Sequence, residues 1–290
     1  MNDRPGTKLS RLLARPNHCM LAPGAYDAFT ARLIELSGFE AIYMSGAGVS
    51  YTSLGKPDVG LLTGTEMAER AAQIASATYL PVIADADTGY GNALNVIRTV
   101  QEYERAGVAA IQIEDQVMPK RCGHMAGKEL ISLEEAASKI EAACYARRDP
   151  DTVIIARTDA LAISGITEAL QRAHAYEEAG ADLIFVEAPR SIEEMRQITA
   201  ELRRPAMANM VEKGQTPLLT TGELAEIGYR LVIFPGALAR FTAKASLEFL
   251  AQLRQEGSTR NMLPRMLGFD ELNKLLGGDE IKELEQRFSS

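Results

Sequence analysis

Short apolar runs rich in β-branched residues punctuate the chain at 20–23, 41–44, 82–84, 109–113, 153–156, 183–186, 206–208 and 231–234. They read as buried strands. Between them, apolar residues recur at helical spacing over 66–78, 93–106, 133–146, 168–179, 192–202 and 221–227. Strands that alternate with helices pair in parallel, because each crossover returns to the same end of the sheet beneath a covering helix. About eight such repeats is the number that closes a (β/α)8 TIM-type barrel. An open doubly wound sheet is written in the same pattern. The stop signals alternate too. Gly38, Gly107, Gly180 and Gly228 precede the even-numbered strands, and Pro16, Pro81, Pro150 and Pro205 precede the odd-numbered ones. Glycine tolerates the left-handed helix cap, and proline cannot continue a helix.

After Arg240 the pattern changes. A helix runs to about residue 256, and two short amphipathic pieces follow at 270–276 and 280–288, split by Gly277-Gly278. A barrel needs none of this. The expected organisation is a catalytic barrel over 1–256 and a helical extension over 257–290 that either caps the barrel or, by preference, contacts another subunit.

Polar residues fall at the carboxyl ends of the predicted strands: Ser45 and Gly46, Asp85 and Asp87, Glu114, Arg157, Glu187 and Asn209. That end of a barrel carries the active site. Asp85 and Asp87, two apart, point to one face if the chain is extended, and Glu114 closes the next strand. Three carboxylates without a Cys/His set describe a hard-cation site, Mg2+ by preference and Mn2+ as the second choice. The plainer alternative is that these acids cap helices or pair with Arg157.

Two connections are long. Residues 45–62 contain Ser45-Gly46-Ala47-Gly48, small enough for backbone amides to approach an anion, although a flexible turn has the same composition. Residues 115–131 exceed a simple strand–helix loop and suggest a lid with Gly123 and Gly127 as hinges; a capping box, Ser132-Leu133-Glu134-Glu135, starts the next helix. That second loop holds Lys120-Arg121-Cys122-Gly123-His124. A thiol among cations is tuned for proton transfer, so Cys122 is the candidate acid; a surface basic loop with an incidental cysteine is the alternative. Cys19, Cys144, His18 and His174 read as structural.

Composition narrows the class. Hydrophobic content of 46% and charged content of 24% are ordinary for a soluble globular protein with a sizeable core, and a net charge of −8 offers no field for nucleic acid. Three widely spaced cysteines form no disulfide framework. With neither a secretory signal nor a membrane-spanning run in view, the expectation is a cytoplasmic protein without a membrane partner.

These stretches together resemble the isocitrate lyase/phosphoenolpyruvate mutase superfamily. The match runs through Ala22-Pro23-Gly24-Ala25-Tyr26-Asp27-Ala28, Leu54-Gly55-Lys56-Pro57-Asp58, Asp85-Ala86-Asp87-Thr88-Gly89-Tyr90-Gly91-Asn92, Ile113-Glu114-Asp115-Gln116, the pentad, Ile155-Ala156-Arg157-Thr158-Asp159-Ala160 and Ala208-Asn209-Met210. The pentad is the most specific and looks like the lyase branch. The resemblance implies a barrel, Mg2+, and a homotetramer that exchanges a C-terminal helix. It implies that Asp85, Asp87 and Glu114 handle the metal, directly or through water. Ser45, Gly46, Asp58, Gly123, Arg157, Glu187 and Asn209 would line the substrate pocket, and Lys120 and His124 would set the charge around Cys122. The implied chemistry is retro-aldol (retro-Claisen) cleavage of a 2-hydroxy dicarboxylate to a 2-oxo acid such as pyruvate, with Cys122 protonating the leaving enolate. Tyr43 and metal-bound water are the candidate bases. Phe269 stands where 2-methylisocitrate lyases carry an arginine for a third carboxylate, which favours a dimethylmalate-like substrate. Ala208-Asn209-Met210-Val211-Glu212 and the tail 283–288 also resemble a carboxyvinyl-carboxyphosphonate phosphorylmutase, the alternative reading. Pro235 stands where oxaloacetate hydrolases carry a serine.

Overall fold

The computed structural model describes residues 3–121, 123 and 127–289. Eight parallel strands close a barrel in sequence order: β1 (Met20–Ala25), β2 (Ile42–Met44), β3 (Val82–Asp85), β4 (Ala110–Glu114), β5 (Val153–Thr158), β6 (Leu183–Val186), β7 (Ala206–Asn209) and β8 (Tyr229–Phe234). β8 returns to β1, Met20 opposite Leu231. Closure decides between the two architectures, and the open sheet is excluded. Every strand read from the apolar runs is present, with ends shifted by at most two residues.

The burial pattern follows from closure. Met20, Ala22, Tyr43, Ile83, Ala110, Ile155, Leu183, Phe185, Met207, Leu231 and Ile233 fill the interior as one cluster. These are alternate positions along the strands. The intervening residues, such as Ile42, Met44, Ala84, Ile111, Ile154 and Ile184, pack outward with the helices. Leu9, on helix Pro5–Leu13, joins the interior cluster beside Ala41, Ala109 and Val153, residues at the starts of strands. The four glycines that precede the even strands all have positive φ, from 81° at Gly38 to 115° at Gly228.

Two features differ from expectation. Residues 46–54, read as part of a loop, form a helix, Gly46–Leu54, with Ser45 as N-cap: Gly48 N donates to Ser45 Oγ at 3.1 Å. Small residues hid its periodicity. The capping box at Ser132 is half formed. Glu135 N donates to Ser132 Oγ at 3.1 Å, but the Glu135 carboxylate lies 3.9 Å from Lys139 Nζ.

The chain divides into two compact units, Met1–Ala239 and Arg240–Ser290. The break falls inside helix Ala237–Glu256. The second unit also contains a 3-10 turn (Arg260–Arg265) and helices Phe269–Leu275 and Gly278–Phe288. It buries Met262 but exposes Phe241, Phe269 and Phe288 by more than two thirds. No helix among the described residues is long and apolar enough to cross a membrane.

Candidate active site

The carboxyl ends of β2 to β7 supply a buried polar cluster. Asp85 ends β3. Asp87 does not continue it: at φ 46° it sits in a left-handed turn. The extended-strand reason for pairing the two acids therefore fails, yet the turn still brings them together. A Cβ on Gly46 would lie 2.7 Å from Asp85 Oδ2 and 3.5 Å from Asp87 Oδ1. Gly46 is thus the bare surface against which both carboxylates turn. Glu114 ends the neighbouring β4.

The floor of this region is a hydrogen-bonded chain that sequence reading missed. Tyr43 OH donates to Gln112 Oε1 at 3.1 Å, and Gln112 Nε2 donates to Asp85 Oδ1 at 3.3 Å. The phenol of Tyr43 is buried, and burial followed by the Asp85 charge raises its pKa well above the ordinary value. In this arrangement it is a protonated donor to Gln112.

Lys120 joins two loops. Its Nζ lies 2.7 Å from Asp58 Oδ1 and 2.7 Å from Asp87 Oδ1. Asp58 is presented by a segment tied to helix Gly46–Leu54, where Ser50 Oγ donates to the carbonyls of Lys56 and Pro57, each at 3.1 Å. Burial pushes the Asp87 carboxyl up to about 6 against the pull of Lys120, and it drives Glu114 well above the usual range despite Arg157 and Lys120. Both are carboxylates short of positive charge. Asp87 Oδ1, Glu114 Oε1 and Asn209 Oδ1 are buried without a hydrogen-bond partner; at Asp87 the Lys120 contact is ionic.

On the other side, Arg157 at β5 places Nε 2.9 Å from Asp159 Oδ2 and 3.4 Å from Glu114 Oε2, with Nη2 3.8 Å from Glu187 Oε1. The guanidinium lies over the Phe185 ring, 5.1 Å from its centroid. Burial opposes its charge, but Asp159, Glu187 and Glu114 outweigh burial and keep it protonated. Asn209 Nδ2 donates to both oxygens of Glu187 at 3.2 Å.

The long loop is anchored at its base. Val117 N donates to Glu129 O, Ile131 N to Asp115 O, and Gln116 bridges Leu130 in antiparallel pairing. The Gln116 side chain also clasps Arg121, accepting from its N–H and donating to its carbonyl, each at 2.9 Å. Gly123 packs directly on the Arg157–Glu187 pair: a Cβ there would fall 2.1 Å from Glu187 Oε1 and 2.4 Å from Arg157 Nη2. A side chain at this point would have to displace the ends of Glu187 and Arg157. Gly127 sits at φ 78°, a backbone region that favours glycine. Lys128, which sequence reading passed over, donates to the Gly123 carbonyl and lies 2.6 Å from Asp159 Oδ1. Cys122 and His124, the candidate acid and its neighbour, lie outside the described residues. Cys19 and Cys144 are buried or half-buried, and burial raises them to about 12 and about 11; neither is a proton donor of the kind proposed for Cys122.

A hard cation fits this chemistry. The donors are carboxylate oxygens, two of them without hydrogen bonds, and the two acids nearest Gly46 share one cradle. Among the described residues no group of three or more His, Cys, Asp and Glu closes tightly enough to hold an ion alone.

The model of the phosphoenolpyruvate phosphomutase family matches residues 9–254. The chain belongs to that family. It is 50% identical over 280 residues to the 2,3-dimethylmalate lyase of Eubacterium barkeri, covering 97% of each chain. A solved structure of 2,3-dimethylmalate lyase, described as a PEP mutase/isocitrate lyase superfamily member, matches with TM-score 0.93 at 39% identity, over 98% of this chain and 95% of that one. Phosphonopyruvate hydrolase, solved with oxalate and Mg++, matches with TM-score 0.90 at 33% identity, over 99% of this chain and 100% of that one. The chain is therefore an enzyme of this superfamily, and it stands with the superfamily's carbon–carbon lyases.

Proposed function

We propose that the protein is a Mg2+-dependent lyase that splits a 2-hydroxy dicarboxylate of the 2,3-dimethylmalate type into a 2-oxo acid and a carboxylate. The observation that carries this reading is the seating of the long loop. Lys120 and Gly123, which flank Cys122 in the sequence, rest respectively on Asp58 and Asp87 and on Arg157 and Glu187. Their contacts tie the described residues on either side of position 122 to the charged groups at the barrel mouth. The 50% identity to a lyase of that name and the Mg++ in a related hydrolase support substrate class and metal.

Asp85, Asp87 and Glu114 would hold the metal, directly or through water; when bound, it supplies Lewis acidity toward the 2-oxygen and its carboxylate. Arg157, fixed by Asp159 and stacked on Phe185, offers its guanidinium to a substrate carboxylate. Glu187 and Asn209 orient one another beside it. Ser45 and Gly46 place the start of helix Gly46–Leu54 against the same space. Cys122 donates its proton to the carbanionic carbon of the departing enolate, within the charge set by Lys120 and His124. The exposed phenylalanines of Arg240–Ser290 support assembly into a homotetramer through the helical extension.

The test is pyruvate release from a panel of 2-alkylmalates, 2-methylisocitrate and oxaloacetate, with Mg2+ present, by the native chain and by Cys122→Ser. We expect a dimethylmalate to be turned over fastest, and Cys122→Ser to lose most turnover while retaining metal. No pyruvate from any substrate would refute the lyase reading; full turnover by the serine variant would remove Cys122 from the acid role.

A further inference from the structure

The turn that follows Asp85 at the end of β3 carries Asp87 on unfavourable backbone. Asp87, Gly89, Tyr90 and Gly91 have φ values of 46°, 80°, 59° and 149°. Glycine takes positive φ without penalty, but Asp87 and Tyr90 meet the steric resistance of their Cβ atoms. Against that tendency, five successive carbonyls of the turn each accept a hydrogen bond. The carbonyl of Asp85 accepts from Tyr103 OH at 3.1 Å. Those of Ala86 and Asp87 accept from the amides of Gly89 and Glu114, at 2.9 and 2.8 Å. That of Thr88 accepts from Lys139 Nζ at 3.3 Å, and that of Gly89 from Thr99 Oγ1 at 3.1 Å.

Two of these donors are backbone groups. The other three are side chains on helices Ala93–Arg105 and Leu133–Ala146, behind the barrel wall. Lys139 stands out among them. It is 5% exposed on the buried side of its helix, among Ala136, Ile140 and Ala143. A lysine is seldom tolerated there, because its ammonium must leave water. It also faces Glu135, 3.9 Å away with a side chain 52% exposed. The carbonyl it reaches belongs to the residue directly after Asp87.

We propose that Lys139, together with Tyr103 and Thr99, is a positioning residue for the Asp85 and Asp87 carboxylates, holding their turn in the shape a divalent cation needs. The inference rests on the reading of those acids as metal-handling residues. A turn held in advance spends no binding energy on its own reorganisation, which is how outer residues tune a metal site. A lysine on the back of the barrel thereby acts on the cation through one backbone carbonyl.

The experiment is Mn2+ binding to the full-length chain, with free ion counted by electron paramagnetic resonance, alongside thermal unfolding in chelator. The variants are Lys139→Met, Lys139→Arg, Tyr103→Phe and Thr99→Val. We expect Lys139→Met to weaken Mn2+ binding about tenfold, Lys139→Arg to recover most of it, and the two hydroxyl deletions to weaken it by smaller factors. A purely structural role would lower the melting temperature and leave Mn2+ affinity where it was, and that outcome overturns the proposal. If Lys139→Met does not fold, Tyr103→Phe and Thr99→Val decide by the same criterion. A native chain that binds no Mn2+ would overturn the metal reading and this inference with it; a native chain that binds, beside variants that bind equally well, overturns this inference alone.

Discussion

Glu114 and Asp115 are consecutive, both carboxylates, and 3% and 2% exposed. Their surroundings are opposite. Asp115 accepts from Thr158 Oγ1 at 2.7 Å, Tyr176 OH at 2.8 Å, Asp159 N at 3.0 Å and Arg172 Nη1 at 3.2 Å. Glu114 leaves Oε1 without a partner and has Arg157 Nε 3.4 Å from its other oxygen. Burial raises the pKa of both, and hydrogen bonds from Asp159, Thr158 and Tyr176 work against it at Asp115. A buried carboxylate with its lone pairs engaged belongs to the framework. One with an idle oxygen at a barrel mouth is available for a ligand. The mouth divides along this line: the Asp115–Asp159–Arg172 side is saturated, whereas Glu114 Oε1 stands idle and Asp87 Oδ1 has only the Lys120 ion pair.

The comparison can be broken first at Asp115. Asp115→Ala removes the acceptor shared by Thr158, Tyr176, the Asp159 amide and Arg172 and should cost about 3–5 kcal/mol of stability, read from urea unfolding; a loss under about 1 kcal/mol would place Asp115 outside the framework. Glu114→Gln should do the reverse. We expect turnover on the preferred substrate to fall about 100-fold, with unfolding in chelator as late as in the native chain or later, because a neutral amide relieves a buried charge. Equal destabilisation by both variants would erase the distinction between the two sides.

The smallest effect is one of pH. Asp87 titrates near 6 in the folded chain against an ordinary value of 3.8. The native state therefore holds a proton that the unfolded state has lost, and this contribution to stability is complete below about pH 4 and disappears as pH rises through 6. Without metal, the native chain should lose stability across that window relative to Asp87→Asn, and Mn2+ affinity should rise over the same range as the proton is displaced. Parallel stability–pH curves for the two chains would show that Asp87 is not the group concerned.

Much of the site was legible because barrel chemistry sits at predictable places. Asp85, Glu114, Arg157 and Asn209 each lie in or at the end of an apolar run, and a residue after such a run faces the mouth once the strands close. Lys128 and Gln112 gave no such sign. Lys128 is one cation in a polar loop, and Gln112 is one polar residue inside a strand; their partners, Asp159 and Tyr43, are 31 and 69 residues away. Asp159 carried a weak signal, two residues after Arg157. Helix Gly46–Leu54 was hidden because glycine, alanine and serine carry little amphipathic contrast.

The sequence by itself determined the eight strands, their alternating glycine and proline stops, the strand ends at which the buried polar residues gather, and the helical pieces of the tail. All of these are local: short-range periodicity and backbone preference decide them. Only the tertiary structure decided that the sheet closes, that Asp87 turns out of the strand, that Glu114 is left wanting while Asp115 is satisfied, and that Gly123 rests on Arg157 and Glu187. Those outcomes depend on which distant donors reach a buried oxygen, and no local pattern in the chain records that.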